Sequence, residues 1–123
     1  MASLLIVDDD CDLTDALKDL FEMQGHCAAV AATGAEALHL MTAENFDLIL
    51  LDWQLPDMDG IAVCTQYRQC GGLSQVLMLT GMRDGESRQA GKSAGADDFL
   101  TKPFTVDQLL KCIERLRSTS TGT

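Results

Sequence analysis

Four consecutive large apolar residues, Leu48-Ile49-Leu50-Leu51, end at Asp52, and a second run, Leu4-Leu5-Ile6-Val7, ends at Asp8-Asp9-Asp10. Short unbroken apolar runs of this kind form strands covered on both faces, as in a parallel sheet between helices. The segments between the runs supply those helices. Leu13, Ala16, Leu17, Leu20 and Phe21 recur at helical spacing before Gly25, and Ala37, Leu38 and Met41 do so after Thr33-Gly34-Ala35-Glu36, a capping-box pattern. Strands are expected over residues 3–7, 27–32, 46–51, 75–79 and 97–100. Helices are expected over 10–24, 34–43, from 60 to Gly71-Gly72, over 84–94, and after a second capping box, Thr105-Val106-Asp107-Gln108. The last helix is expected to bury Val106, Leu109, Leu110, Ile113 and Leu116. Strand and helix alternating five times imply an α/β fold with a mainly parallel sheet and helices on both faces.

The 123 residues suffice for one domain with a real core. We assign residues 1–117 to that domain and 118–123, Ser-Thr-Ser-Thr-Gly-Thr, to a polar tail or the start of a linker. No apolar run approaches the ~20 residues that cross a bilayer, and Met1-Ala2-Ser3 lacks the basic start of a signal peptide. The expected location is cytoplasmic. Net charge is −10, which disfavours direct contact with nucleic acid or anionic membrane, since both select basic patches. The odd set Cys11, Cys27, Cys64, Cys70 and Cys112 contains no CxxC pair and reads as reduced, mostly buried small hydrophobes.

Right-handed crossovers place every strand-to-helix loop on one edge of such a sheet, which gathers Asp8, Asp9, Asp52, Thr80 and Lys102. Two unit charges about 4 Å apart repel by roughly 4 kcal/mol at an effective dielectric near 20. Converging carboxylates therefore need a positive partner. Lys102 offsets part of this charge, and a divalent cation offsets more. Hard oxygen ligands with open water positions suit Mg²⁺ (or Mn²⁺). A carboxylate is also a nucleophile able to form an aspartyl phosphate, and phosphoryl transfer needs chiefly positioning and neutralisation of the equatorial oxygens. Lys102 and Thr80 offer contacts of the right kind, and Gly81 presents no side chain to block approach. Pro103 restrains the backbone after Lys102, with the isomer of that bond left open.

The segments LLIVDDD, DLILLDWQLPDMDG, VLMLTG and DDFLTKPF, in that order, resemble the signature segments of response-regulator receiver domains. The likeness spans about Leu4 to Leu116. It implies a flavodoxin-like (βα)5 fold that takes phosphate from a sensor histidine kinase, a phosphotransfer protein or a small phosphodonor. It implies Asp52 as phospho-acceptor and Mg²⁺ held by Asp9, Asp52 and the Gln54 backbone carbonyl, with Asp8 acting through water. Lys102 and Thr80 would contact the phosphoryl group, and Phe99 would be the switch aromatic that turns inward when Thr80 moves. An output domain or effector protein, and a homodimer formed on phosphorylation, are the partners such a module would have. Beyond its own phosphorylation and dephosphorylation, no enzyme activity is implied. Gln54 and Met82 stand at positions that in the family tune dephosphorylation. The helix over 84–94, weakened by Gly85 and Gly91, is expected to be mobile before phosphorylation.

Other readings fit some of these residues. Acids at Asp8-Asp9-Asp10 also suit a helix N-terminus, and that is the reading for Asp10. Asp57 and Asp59 are expected to shape their loop and cap the next helix, Asp97-Asp98 to begin a strand, and His26 and His39 to lie on the surface. Trp53, the sole tryptophan, reads as a partly exposed loop aromatic. A Mg²⁺-dependent phosphohydrolase with an aspartate nucleophile would need an acid two residues after Asp52, where Gln54 stands. An FMN binder would need a Ser/Thr/Gly-rich loop in place of the three aspartates. A receiver-like interaction module that does not use phosphate is the remaining alternative.

Overall fold

The apolar runs lie side by side in a computed structural model that describes residues 2–81 and 85–121. Strands β1 (Ser3–Val7), β2 (Cys27–Ala31), β3 (Leu48–Asp52), β4 (Gln75–Thr80) and β5 (Asp98–Thr101) form one sheet in the order β2-β1-β3-β4-β5, with every pairing parallel. Helices α1 (Cys11–Met23), α2 (Gly34–Ala43), α3 (Gly60–Gln69), α4 (Gly85–Ala94) and α5 (Val106–Thr121) fill the connections. This is the flavodoxin-like (βα)5 arrangement. The strand order reverses between β1 and β3, and the crevice at such a switch point is where open α/β sheets bind ligands.

Alternation along the strands divides the core into two layers. Leu5, Val7, Ile49, Leu51, Val76, Met78 and Phe99 pack with Ala37, Met41, Val63, Cys64, Tyr67 and Ala94 of α2, α3 and α4. Leu4, Ile6, Leu48, Leu50, Leu77, Leu79 and Leu100 pack with Leu17 and Phe21 of α1 and Leu109, Ile113 and Leu116 of α5. All of β3 is buried, as a central strand covered on both faces requires. Gly25 and Gly71 take positive φ directly after α1 and α3, the left-handed exit that glycine makes cheap.

The differences from expectation have local causes. Phe46 is buried but precedes β3, which instead extends to Asp52, so the carboxylate sits on the last rung of the ladder. The fifth strand begins at Asp98, because the Asp97 side chain accepts from Val76 N–H and pairs with Arg68. Val106 is half-exposed at the start of α5, one residue after the Thr105 cap, where a side chain lies beside the helix end rather than over the sheet. In α1, Ala16 is exposed and Thr14 is buried, its hydroxyl donating to the Cys11 carbonyl. α5 continues through the first residues assigned to the tail, as far as Thr121. Cys64 and Cys112 are buried, but Cys11, Cys27 and Cys70 are exposed, so the cysteines are not mainly core residues. These three stand at a helix start, an edge-strand start and a helix end, where the surroundings are open. His39 is exposed, whereas His26 is partly buried and accepts from Ala2 N–H through Nδ1. Burial, Arg117 and the chain's amino terminus together hold the His26 pKa below its ordinary value.

Among the described side chains of α4, only Gly91 and Ala94 are buried, against Leu109, Cys112, Ile113 and Leu116 in α5. Few apolar contacts mean a low local opening free energy. Native-state amide exchange is therefore expected to be faster through α4 than through the first three turns of α5. Equal protection in the two helices would contradict this.

Candidate functional site

Parallel register assembles the site. Val7 pairs with Leu51, so Asp8 follows on β1 beside Asp52 at the end of β3. Asp52 pairs with Leu79, which places Thr80 one residue further along β4. Thr80 pairs with Thr101, which brings in Lys102 directly after β5, where its N–H donates to the Thr80 carbonyl at 2.7 Å. Four strand ends thus deliver one side chain each to a single edge, with Asp9 on the loop into α1. Asp10 begins that helix as its cap, accepting from Leu13 N–H at 3.2 Å, and takes no part in the cluster.

The carboxylates of Asp8, Asp9 and Asp52 offer oxygens that all lie within 4.8 Å of one another. Asp8 and Asp52 are buried, and Asp9 is exposed. The Lys102 ammonium lies 2.7 Å from Asp8 Oδ2 and 3.3 Å from Asp52 Oδ1. The other Asp8 oxygen accepts from Asp10 N–H at 3.0 Å. Above them opens a cavity of about 550 Å³ lined by Asp9, Asp52, Trp53, Gln54, Leu55, Pro56, Thr80, Gly81 and Lys102. Asp8 is not in its lining but lies beneath, held by Lys102.

The electrostatics follow from this packing. Burial pushes the Asp52 carboxyl above its ordinary value and the Asp8 charge pushes it further, while Lys102 and a hydrogen bond from the Gln54 backbone amide pull it down without cancelling the rise. Burial works to lower Lys102, but hydrogen bonds and charge from Asp8 and Asp52 outweigh it, so Lys102 is raised and stays protonated. One ammonium between two buried carboxylates leaves the cluster net negative. Three converging oxygen donors, one of them open to solvent, are the donor chemistry that a hard divalent cation takes. The residues present therefore fit Mg²⁺.

Thr80 is buried at the floor of the cavity, and Trp53 is partly buried in its wall. Gly81 lines the cavity, but a Cβ there would meet nothing within 4 Å, so its missing side chain is not a packing requirement. Phe99 lies outside the cavity, buried against α4: a Cβ on Gly91 would stand 2.3 Å from its Cε2. Gly91, which looked like a helix weakness, is the gap that admits the ring. Met82 lies outside the described residues. The Lys102-Pro103 bond is cis. Asp59 caps α3 by accepting from Ala62 N–H at 2.8 Å, as expected. Asp57 does not join it; its carboxylate reaches α2 instead, accepting from Gly34 N–H at 2.7 Å and Ala35 N–H at 3.0 Å. That contact, 22–23 positions away in sequence, has no local signal.

The family described as response regulator receiver domain matches residues 4–114. This chain belongs to that family. It is similar to the response regulator MprA of Mycolicibacterium vanbaalenii, 38% identical over 107 residues, and to that of Mycobacterium ulcerans, 37% identical over the same length. Each alignment covers 87% of this chain and 46% of the relative, so the chain spans about half the length of the curated relatives it matches. Among solved structures, the receiver domain of the Francisella response regulator 1452 superposes with a TM-score of 0.90 at 33% identity, covering 98% of this chain and 99% of that one. The CheY-like receiver domain protein of Methanospirillum hungatei gives 0.91 at 32%, covering 100% and 99%. The chain is thus a receiver domain of the two-component response-regulator family, and no described helix is long and apolar enough to cross a membrane.

The raised pKa of Asp52 has a stability consequence for the receiver domain. Its ionised form is the costly one in the fold, so its stabilising contribution is present below the ordinary carboxylate value and is lost as pH rises through the folded one. At neutral pH without divalent cation, Asp52→Asn is therefore expected to raise Tm. Lys102 keeps Asp8 as its closer partner in that variant. The gain should shrink as pH falls from neutral through the raised Asp52 value and be gone below the ordinary carboxylate range. Thermal unfolding with a chelator present checks this, and a lower Tm at pH 7 would contradict it.

Proposed function

We propose that Asp52 is the phospho-acceptor of this receiver domain and that the domain works as a phosphorylation-driven switch. The observation that carries the proposal is the Asp8-Asp9-Asp52 cluster with Lys102 Nζ 3.3 Å from the Asp52 carboxylate, under an open cavity that also holds Thr80. An Asp52 oxygen attacks phosphorus; the bond to the histidine nitrogen or acyl oxygen of the donor breaks, and the donor leaves with the electron pair. Lys102 turns from Asp52 to a phosphoryl oxygen, and the Thr80 hydroxyl donates to another. Asp9, Asp52 and the Gln54 carbonyl would hold the cation, with Asp8 acting through water. Bound there, Mg²⁺ supplies charge neutralisation for the incoming phosphoryl oxygens.

The donor under this proposal is a sensor histidine kinase, a phosphotransfer protein or a small acyl phosphate. The output is a population shift, biased by contacts that Thr80 and Lys102 make only with the phosphorylated site and passed through Phe99 to the α4 face. An output domain, an effector protein or a second copy of the domain would read that face. Activity beyond the domain's own phosphorylation and dephosphorylation is not part of the proposal, nor is direct binding of nucleic acid or membrane. The location that fits is cytoplasmic.

Incubation with Mg²⁺ and acetyl phosphate is expected to add one phosphoryl group by intact mass, and none to Asp52→Asn. At limiting Mg²⁺ the labelling rate should fall on acidification before an ordinary carboxylate would titrate, because burial and Asp8 raise Asp52. Equal labelling of Asp52→Asn at the same site would overturn the assignment.

A further inference from the structure

The loop between β3 and α3 carries Gln54, and its base is closed twice: Gly60 N–H donates to the Trp53 carbonyl at 2.6 Å, and Gln54 bridges to Asp59. Its tip is fastened elsewhere. Both carboxylate oxygens of Asp57 accept from the first turn of α2, and Met58 lies over Gly34, where an added Cβ would stand 2.3 Å from Cγ and 2.7 Å from Sδ.

This fastening completes the first turn of α2. A helix start leaves backbone N–H groups without intrahelical partners. Thr33 Oγ1 accepts from Glu36 N–H at 3.1 Å, and Asp57 takes the Gly34 and Ala35 donors that Thr33 does not reach. Helix charge favours an anion there, and the Gly34 and Ala35 hydrogen bonds, the larger of the influences, hold the Asp57 carboxyl below its ordinary value. The same carboxylate fixes the loop whose Gln54 amide reaches Asp52 and whose Gln54 carbonyl is the third cation ligand of the proposed site.

We propose that Asp57 is a positioning residue for the divalent-cation site: with Met58 seated on Gly34, it latches the β3–α3 loop to the start of α2 and so holds the Gln54 carbonyl in place. This rests on the cation reading above. Groups behind a metal ligand commonly change affinity by a factor of about ten or more although they never touch the ion. The latch also joins the phosphoryl edge to α2, a helix that contributes no residue to the cavity.

Binding is measured with Mn²⁺, counted by the electron paramagnetic resonance signal of the free ion, with Mg²⁺ as competitor. Wild type is compared with Asp57→Ala and Gly34→Ala, and folding is followed by thermal unfolding without metal. Asp57→Ala is expected to weaken binding by about tenfold. Gly34→Ala keeps the Asp57 charge and improves helix propensity, yet displaces Met58, and is expected to weaken binding by a smaller factor. Weakening of both, with wild-type Tm largely kept, supports the latch. Loss in Asp57→Ala with none in Gly34→Ala shows that only the charge of Asp57 matters and overturns it. Unchanged affinity in Asp57→Ala also overturns it while leaving the cation reading intact. Absence of Mn²⁺ binding by wild type removes the cation reading and the latch together. If Asp57→Ala fails to fold, Asp57→Asn, which retains an oxygen acceptor, decides the same question by comparison with Gly34→Ala.

Discussion

The Lys102 ammonium, seated between Asp8 and Asp52, is the interaction on which the site rests. Without it, two buried carboxylates would face each other with an exposed third nearby, a repulsion of several kcal/mol in a partly buried setting. With it, the cluster holds together yet keeps a negative excess. That unfinished neutralisation gives the edge the donor chemistry that a hard divalent cation takes, and under the proposed function it leaves Lys102 able to change partners when a phosphoryl group brings its own negative charge.

The fold makes this arrangement reproducible. Ladder hydrogen bonds between β1, β3, β4 and β5 fix which residues end the strands together, so Asp8, Asp52, Thr80 and Lys102 meet through backbone register alone. Slippage by one residue would invert every strand side chain between two fully packed layers, which the core forbids. Rigidity of the sheet therefore becomes precision at the site. α4 is held less tightly than the sheet, since its described side chains bury little. Phe99 connects the two regimes, since it sits on a strand next to the site and packs into the gap at Gly91.

Most of the fold and the chemical edge were legible because both depend on local patterns. Apolar runs mark buried strands, capping residues mark helix starts, and the acids and lysine stand where the runs stop. What escaped was long-range or depended on the volume of a neighbour. Asp57 carries the same signature whether it caps the helix after it or one far before it in sequence. Gly91 reads as a propensity defect until a ring is placed against it. Arg68 gave no sign that it would bind the Gly95 carbonyl at 2.9 Å and Asp97 at 3.0 Å, a contact that moves the start of β5 by one residue. Exposure of Cys11, Cys27 and Cys70 likewise follows from where the helix and strand ends fall, which composition does not encode.

The most direct test of Lys102 as an exchangeable counter-charge is a crystal structure of the domain with Mg²⁺ and beryllofluoride, an analogue of the phosphoryl group. The expected result is the fluoride adduct on Asp52, the cation between Asp9, Asp52 and the Gln54 carbonyl, and Lys102 Nζ moved from the Asp52 carboxylate onto a fluoride. An adduct on another residue, or Lys102 still bound to Asp52 beside a fully formed adduct, would contradict it.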